Sequence, residues 1–155
     1  MVGACRQLTD LRLGRCVEIR SPAVVQVALC CQRLQFLSLR GCHHVTDQAV
    51  VRLCKECPNL EYLSLWRCIQ LTDTAVVMGI QSSKLLTDLN LHTCPELTDA
   101  SCRRLALACP QLASLNLREN RNITECAVCA LQEARPRMRI LFGCASSTIV
   151  KTEKS

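Results

Sequence analysis

Fourteen cysteines are the residues of this 155-residue chain with the most varied chemistry. Two pairs, Cys54-x-x-Cys57 and Cys126-x-x-Cys129, have the spacing of zinc half-sites. A structural zinc ion takes four ligands, so two such pairs would have to converge in space. Whether these two cysteine pairs can form a zinc site therefore depends on where the secondary-structure elements place them.

Three histidines, His43, His44 and His92, are the candidate general bases. None of them lies in the strained strand–turn–helix sequence that presents a nucleophile. The five glycines are not clustered, so no glycine-rich loop is available to cradle a phosphate. The sequence therefore predicts no catalytic residue, no cofactor and no small-molecule substrate, and it favours a protein that is not an enzyme.

Leucines recur along the chain at a constant interval of 26 residues, which we call the repeat length. Each of five segments begins with a leucine and carries further leucines three and five positions later. The starting residues are Leu8, Leu34, Leu60, Leu86 and Leu112. A cysteine or asparagine follows eight positions after each start, which gives the pattern L-x-x-L-x-L-x-x-[C/N]-x-x-L. This pattern is typical of leucine-rich repeats, whose units are about 20 to 29 residues long.

Each unit is predicted to form a short strand, a turn and a helix. The L-x-L step has a period of two, which places its leucines on one side of a strand. Thr-Asp pairs at 46–47, 72–73 and 98–99, and Thr-Glu at 124–125, are typical of helix N-caps, with an acid at the positive end of the helix dipole. The predicted helices span residues 21–31, 47–57, 73–83, 99–109 and 125–134. Gly79 and the serines at 82–83 make the third helix the weakest.

Stacked units of this kind predict an α/β fold, a right-handed leucine-rich-repeat solenoid of the ribonuclease-inhibitor type with strands inside and helices outside. We expect one domain over residues 1–144, with five 26-residue repeats and a partial repeat from Met138. Cys144 comes two positions early in that last repeat, and residues 145–155 are expected to form a polar tail. The two cysteine pairs then lie on helices three repeats apart, so we expect no metal site.

Strand residues that alternate with the leucines face the concave side of such a solenoid. Three of the four aromatic residues in the chain fall at these positions. The predicted protein-binding residues are Phe36, Arg40, Tyr62, Trp66, Arg67, Asp88, His92 and Arg118. Clustered aromatic and arginine side chains are typical of interface hot spots, and arginine suits carboxylate or phosphate groups. The alternative is that these side chains merely cover one another on an unused surface.

The cysteine-bearing units are more specific than a generic leucine-rich repeat. Residues 42–50 and 57–65 resemble the cysteine-containing repeats of F-box/leucine-rich-repeat proteins and of their F-box-less relatives, including mitotic-exit antagonist homologues. The resemblance covers residues 5–134. It implies a substrate receptor of an SCF-type ubiquitin ligase, in which an F-box joins the repeats to a Skp-type adaptor and a cullin. Too few residues precede Leu8 to hold an F-box, so these two partners are expected only through a segment outside this chain.

Charge and hydropathy narrow the remaining function classes. The net charge of +6 comes mainly from fifteen arginines, but interleaved acids and an isoelectric point near 8.7 argue against nucleic-acid binding. No apolar run approaches the roughly 20 residues that cross a bilayer, and no secretory signal is evident. We therefore expect a cytoplasmic or nuclear protein with reduced thiols. Two functions stay open: a ligase substrate receptor, or a standalone scaffold or inhibitor.

Overall fold

Short parallel strands form the centre of the structure, a computed structural model that describes residues 5–143. The strands are β1 (Asp10–Arg12), β2 (Phe36–Ser38), β3 (Tyr62–Ser64), β4 (Asp88–Asn90), β5 (Ser114–Asn116) and β6 (Arg139–Leu141). They lie in one sheet in the order of the sequence. Neighbouring strands are therefore joined by one turn-and-helix connection, as the repeating pattern predicts.

The register of strand pairing equals the repeat length of the sequence. Leu37, Leu63, Leu89 and Leu115 lie side by side on consecutive strands, each one repeat length after the one before. All four are buried in the common core. Because side chains alternate along a strand, the residues on either side of each leucine face away from the core. The α/β class with a parallel sheet is confirmed, and the fold is of the leucine-rich-repeat type.

The step to β6 is one residue shorter than the others. Ser114 pairs with Arg139, whereas the repeat length would bring position 140 opposite it. Met138 is buried like the leucines that start the earlier units, so the missing residue falls between Met138 and β6. Cys144 and the tail predicted over 145–155 lie outside the described residues.

Helices follow four of the strands in the described part of the chain. They are α1 (Ser21–Cys30), α2 (Asp47–Glu56), α3 (Asp99–Ala108) and α4 (Glu125–Ala134). Their bounds agree with the predicted helices to within one residue. The last three end two residues before Pro58, Pro110 and Pro136, where proline no longer interrupts the helical hydrogen bonds.

The helix predicted over 73–83 is wrong as a regular α-helix. The chain forms a π-helix at Ala75–Gly79 and continues as a 3-10 turn at Ile80–Ser82. A π-turn is rare, and glycine is a poor helix former, so this segment has little intrinsic preference for regular winding.

Gly79 explains the altered winding. It stands one repeat length after Leu53 and one before Leu105, both of which are fully buried in the core. A Cβ at Gly79 would lie only 3.0 Å from the Cα of Val51 on α2. In this unit, backbone atoms therefore occupy the space that a leucine side chain occupies in the neighbouring units.

The cysteine column ties each unit to the one before it. In three consecutive units, a buried thiol donates to the carbonyl of the preceding unit's third leucine. The pairs are Cys42–Leu13, Cys68–Leu39 and Cys94–Leu65, with sulfur–oxygen distances of 3.4, 3.3 and 3.3 Å. In the next unit Asn120 donates to the Leu91 carbonyl and accepts from the backbone N–H of Cys94, both at 2.8 Å. The column therefore satisfies buried backbone groups as well as filling space.

A ladder of aspartates joins the starts of the helices, which the sequence reading missed. Each carboxylate accepts hydrogen bonds from the backbone N–H and the hydroxyl of a threonine one unit later. The pairs are Asp47–Thr72, Asp73–Thr98 and Asp99–Thr124. The predicted N-cap role holds for the side chains of Thr98 and Thr124, which accept backbone N–H groups of α3 and α4. It is wrong for Thr46, whose side chain makes no cap bond to α2. The aspartates thus connect units as well as complementing helix dipoles.

Replacing Leu65 with alanine should destabilise the protein by about 2 to 5 kcal/mol, because the side chain is fully buried between units and its removal leaves a cavity. The matched control is Leu107→Ala on α3, whose side chain is 82% exposed and whose loss should change stability by less than about 0.5 kcal/mol. Urea unfolding followed by circular dichroism measures both. Equal midpoints for the two variants would contradict the register.

Replacing Asp73 with alanine should destabilise the protein by about 1 to 3 kcal/mol at pH 7, because it removes hydrogen bonds to an ionised acceptor. Burial opposes ionisation of Asp73, but hydrogen bonds from Ser101 and Thr98 outweigh it and lower the pKa of the carboxyl below its usual 3.8. Because the native pKa is lower than that of the unfolded chain, ionisation of Asp73 stabilises the fold at pH values above the unfolded-state pKa. This stabilisation is lost as the pH falls through the native pKa.

The difference between wild type and Asp73→Ala should therefore shrink in acid, as unfolding curves at pH 7, 5 and 3 would show. Glu125→Ala is the control, since Glu125 is an exposed acid at the start of α4 and makes no ladder bond within residues 5–143. Equal losses for the two variants would show that the helix dipole, and not the ladder, is responsible.

Candidate functional site

Two rows of stacked side chains cross the sheet face opposite the core, which we call the open face. The first row is Arg12, Phe36 and Tyr62, on β1, β2 and β3. The Phe36 and Tyr62 rings are parallel within 5°, with centroids 4.0 Å apart. The guanidinium carbon of Arg12 lies 4.5 Å from the centroid of the Phe36 ring. We call these three residues the first stack.

The second stack is Arg40, Trp66 and His92, each two residues beyond the end of its strand. The guanidinium carbon of Arg40 lies 3.6 Å from the centroid of the Trp66 ring. On the other side of the indole, the His92 ring is parallel within 7° at a centroid distance of 4.7 Å. Trp66 is therefore held between a cation and an imidazole.

The pairing of the strands produces the Phe36–Tyr62 pair and the second stack, whereas Arg12 is in register with Ser38 and reaches the Phe36 ring diagonally. Adjacent strands lie about 4.8 Å apart, which is close to the separation of stacked rings. Side chains one unit apart at the same position therefore meet face to face. Backbone bonds from Gly41 to Trp66 and from Arg67 to His92, at 2.7 and 2.9 Å, continue the pairing beyond the strands and align the second stack.

The other predicted residues lie around these stacks. Asp88 follows Tyr62 in the pairing register and accepts a hydrogen bond from the Thr87 hydroxyl at 2.8 Å. Arg118 lies one repeat length after His92, just beyond β5. Arg67 lies in the turn after β3, where its φ of 59° is unusual for a residue with a side chain. It therefore belongs to the rim of the open face and not to the strand surface.

The aromatic side chains are less exposed than the sequence suggested. Phe36, Tyr62, Trp66 and His92 are all half-buried, because each ring is covered by a neighbour. Ser64, which lies between Tyr62 and Trp66 on β3, is only 3% exposed although it alternates with the core leucines. The middle of the open face is therefore already closely packed, with the ring edges left accessible.

Charge differs between the two stacks. Arg12 forms an ion pair with Asp10 at 3.1 Å. In the described part of the chain, neither Arg40 nor Arg67 has a carboxylate within 4.0 Å. The two-residue spacing between Asp10 and Arg12 along one strand is the feature of the sequence that signals this ion pair.

His92 is affected by this uneven charge. Burial lowers the pKa of its imidazole, and the positive charges of Arg118, Arg40 and Arg67 lower it further, while Glu119 acts in the opposite direction. The ring is therefore mainly neutral at pH 7, with one nitrogen that can donate and one that can accept a hydrogen bond.

The cysteines and histidines do not assemble a metal site in the residues that the structure describes. No three side chains of histidine, cysteine, aspartate or glutamate converge within residues 5–143. Cys54 and Cys57 are buried, and the Cys57 thiol lies against the carbonyls of Ala28 and Cys31. No helix in the same range is long and apolar enough to cross a membrane.

Comparisons with known proteins show the fold. No protein-family model matches the chain, and no curated protein matches it in sequence. A chain from the crystal structure of the Rad7 and Elc1 complex in yeast is similar, with a TM-score of 0.81 over 99% of this chain and 23% sequence identity. The likeness covers 41% of that chain, so the protein described here spans less than half of its length.

Thiol labelling should separate the cysteines into two groups. Burial raises the pKa of Cys42 to about 11 and that of Cys94 to about 12, and it raises the pKa of Cys68 as well. These three thiols should alkylate slowly in the native protein, because the thiolate is the reactive form. The exposed thiols should react first; they are Cys5, Cys16, Cys126 and Cys129. Timed iodoacetamide labelling with peptide mass spectrometry measures this, and uniform labelling would contradict the buried column.

Proposed function

We propose that the chain is a protein-interaction module that holds a protein partner on its open face, the concave side expected for a solenoid of this kind. The observation that carries the proposal is the second stack, in which Trp66 is fixed between Arg40 and His92. An aromatic side chain that is already ordered loses little conformational entropy when it binds. Tryptophan, tyrosine and arginine are also the residues in which interface binding energy concentrates.

Several features support a protein as the ligand. The rows of side chains run across neighbouring strands, and four strands about 4.8 Å apart give a strip roughly 15 Å wide. Such a strip fits a short peptide segment or one face of a helix. The proposal is one of protein binding and includes no enzyme activity and no cofactor.

We further propose that the module resembles the substrate-recognition region of an SCF-type ubiquitin ligase. The cysteine-containing units support this, as does the likeness in fold to a chain that was crystallised in a complex of two proteins. Contact with a Skp-type adaptor and a cullin would require an F-box, and repeating units occupy residues 5–143. The proposal therefore includes these two partners only if a segment outside this chain supplies the F-box. The proposed location of the protein is the cytoplasm or nucleus.

Trp66→Ala should remove most partner capture, because loss of a central aromatic anchor reduces binding by about 2 kcal/mol or more. The control is Arg103→Glu, an exposed residue on the outer side of α3 that should change capture little. Affinity capture from cell extract with quantitative mass spectrometry compares wild type and both variants, after circular dichroism has shown that all three are folded.

The outcomes separate the functions. Proteins lost with Trp66→Ala and kept with Arg103→Glu support binding on the open face. Equal loss with the two variants would place the binding surface on the helices and contradict the proposal. A Skp-type adaptor and cullin among proteins captured by a longer form favour the ligase receptor, and their absence favours a standalone scaffold or inhibitor.

A further inference from the structure

The uncompensated positive charge of the open face is concentrated at one end of the strands. Arg12 in the first stack is neutralised by Asp10. Arg40 in the second stack and Arg67 in the adjoining turn have no carboxylate partner within residues 5–143. The same elements that stack the aromatic rings therefore hold two arginines without counter-charge on one rim of the open face.

The stacking leaves the hydrogen-bonding edges of these groups available. A guanidinium group that lies flat on an indole uses its face for the contact, while its N–H groups point outward in the plane. Arg40 is fixed in this way, 3.6 Å from the centroid of Trp66. The imidazole of His92 is likewise stacked through its face, so its ring nitrogens lie at the edge of the stack.

Two further arginines lie close to this edge. The backbone N–H of Arg67 donates to the carbonyl of His92 at 2.9 Å, which places the Arg67 turn beside the backbone of His92. Arg118 occupies the position after His92 in the same row, and both arginines lower the pKa of the His92 ring. The negative charge of Glu119 raises the pKa of the His92 ring.

We propose that Arg40, Arg67 and His92 form a binding site for a phosphorylated side chain of a bound protein segment. A phosphate monoester carries nearly two negative charges and three acceptor oxygens at neutral pH, which suits several guanidinium groups better than a carboxylate with one charge does. That the phosphate belongs to a protein rests on the proposed function above. The anion site itself depends only on the geometry of the second stack.

Fluorescence of Trp66 gives a direct test, because it is the single tryptophan of the chain and lies within the site. The probe is a capped five-residue peptide with phosphoserine at its centre, titrated at constant ionic strength. The same peptide with serine and with glutamate at that position completes the set. We expect the phosphoserine peptide to bind about tenfold or more tightly than the serine form, with glutamate in between. Orthophosphate should compete, and isothermal titration calorimetry provides a second readout.

Charge-removing variants locate the site. Arg67→Gln should weaken binding of the phosphoserine peptide about tenfold, since Arg67 contacts no aromatic ring and its loss leaves the stack intact. Arg40→Gln should do the same. The matched control is Arg12→Gln, which also removes an arginine from an aromatic ring but one that Asp10 already neutralises. That control should bind like wild type.

Three results would overturn the phosphate site. One is equal binding of the phosphoserine and serine peptides, or no response to either peptide or to orthophosphate. Another is an Arg12→Gln variant as impaired as Arg67→Gln. The third is a single-stranded oligonucleotide that competes better than the phosphopeptide, which would indicate a nucleic-acid surface. If partner capture depends on Trp66 but shows no preference for phosphate, the phosphate site is wrong and the proposed function stands. If phosphate binds but no partner is captured, the proposed function is wrong and the phosphate site stands.

Discussion

Parallel pairing of strands at a constant offset of one repeat length is the constraint on which the rest of the structure depends. Each strand is only three residues long, so no strand is stable by its own hydrogen bonds. Stability comes from stacking, in which each unit buries the leucines of its neighbour. Cysteine thiols and aspartate side chains add hydrogen bonds between several of the same neighbouring units. Local changes are therefore transmitted along the sheet through adjacent units.

The same offset creates the open face. Once the leucines occupy the core, the alternating positions face outward at about 4.8 Å intervals, and like positions in neighbouring units must touch. Flat groups at those positions stack, as Phe36 does on Tyr62 and Trp66 on His92. The chemistry of the open face thus depends on which residues occupy the outward-facing columns of the sequence. The fold sets the spacing between side chains on the open face, and the residue types at the outward-facing positions set its charge.

The sequence predicts the parallel sheet, its register from β1 to β5 and the bounds of four helices, because these follow from periodic patterns. It does not predict the π-helix at Ala75–Gly79, which depends on the approach of one glycine to the backbone of α2. Likewise, the bond from Thr98 to Asp73 joins side chains in different units, and no local propensity encodes it. The half-burial of Trp66 also depends on contacts with neighbouring strands, so a pattern of alternation overstates its exposure.

The central claim is that strand register holds Arg40 and His92 against opposite faces of Trp66 in solution. Two-dimensional proton NMR tests this directly, since the indole ring current shifts protons that lie over its face. The structure predicts strongly upfield-shifted side-chain signals of Arg40, cross-peaks between the Trp66 and His92 rings, and loss of both in Trp66→Leu. Random-coil shifts for the Arg40 side chain in the folded wild-type protein, with no contact between the two rings, would contradict the account.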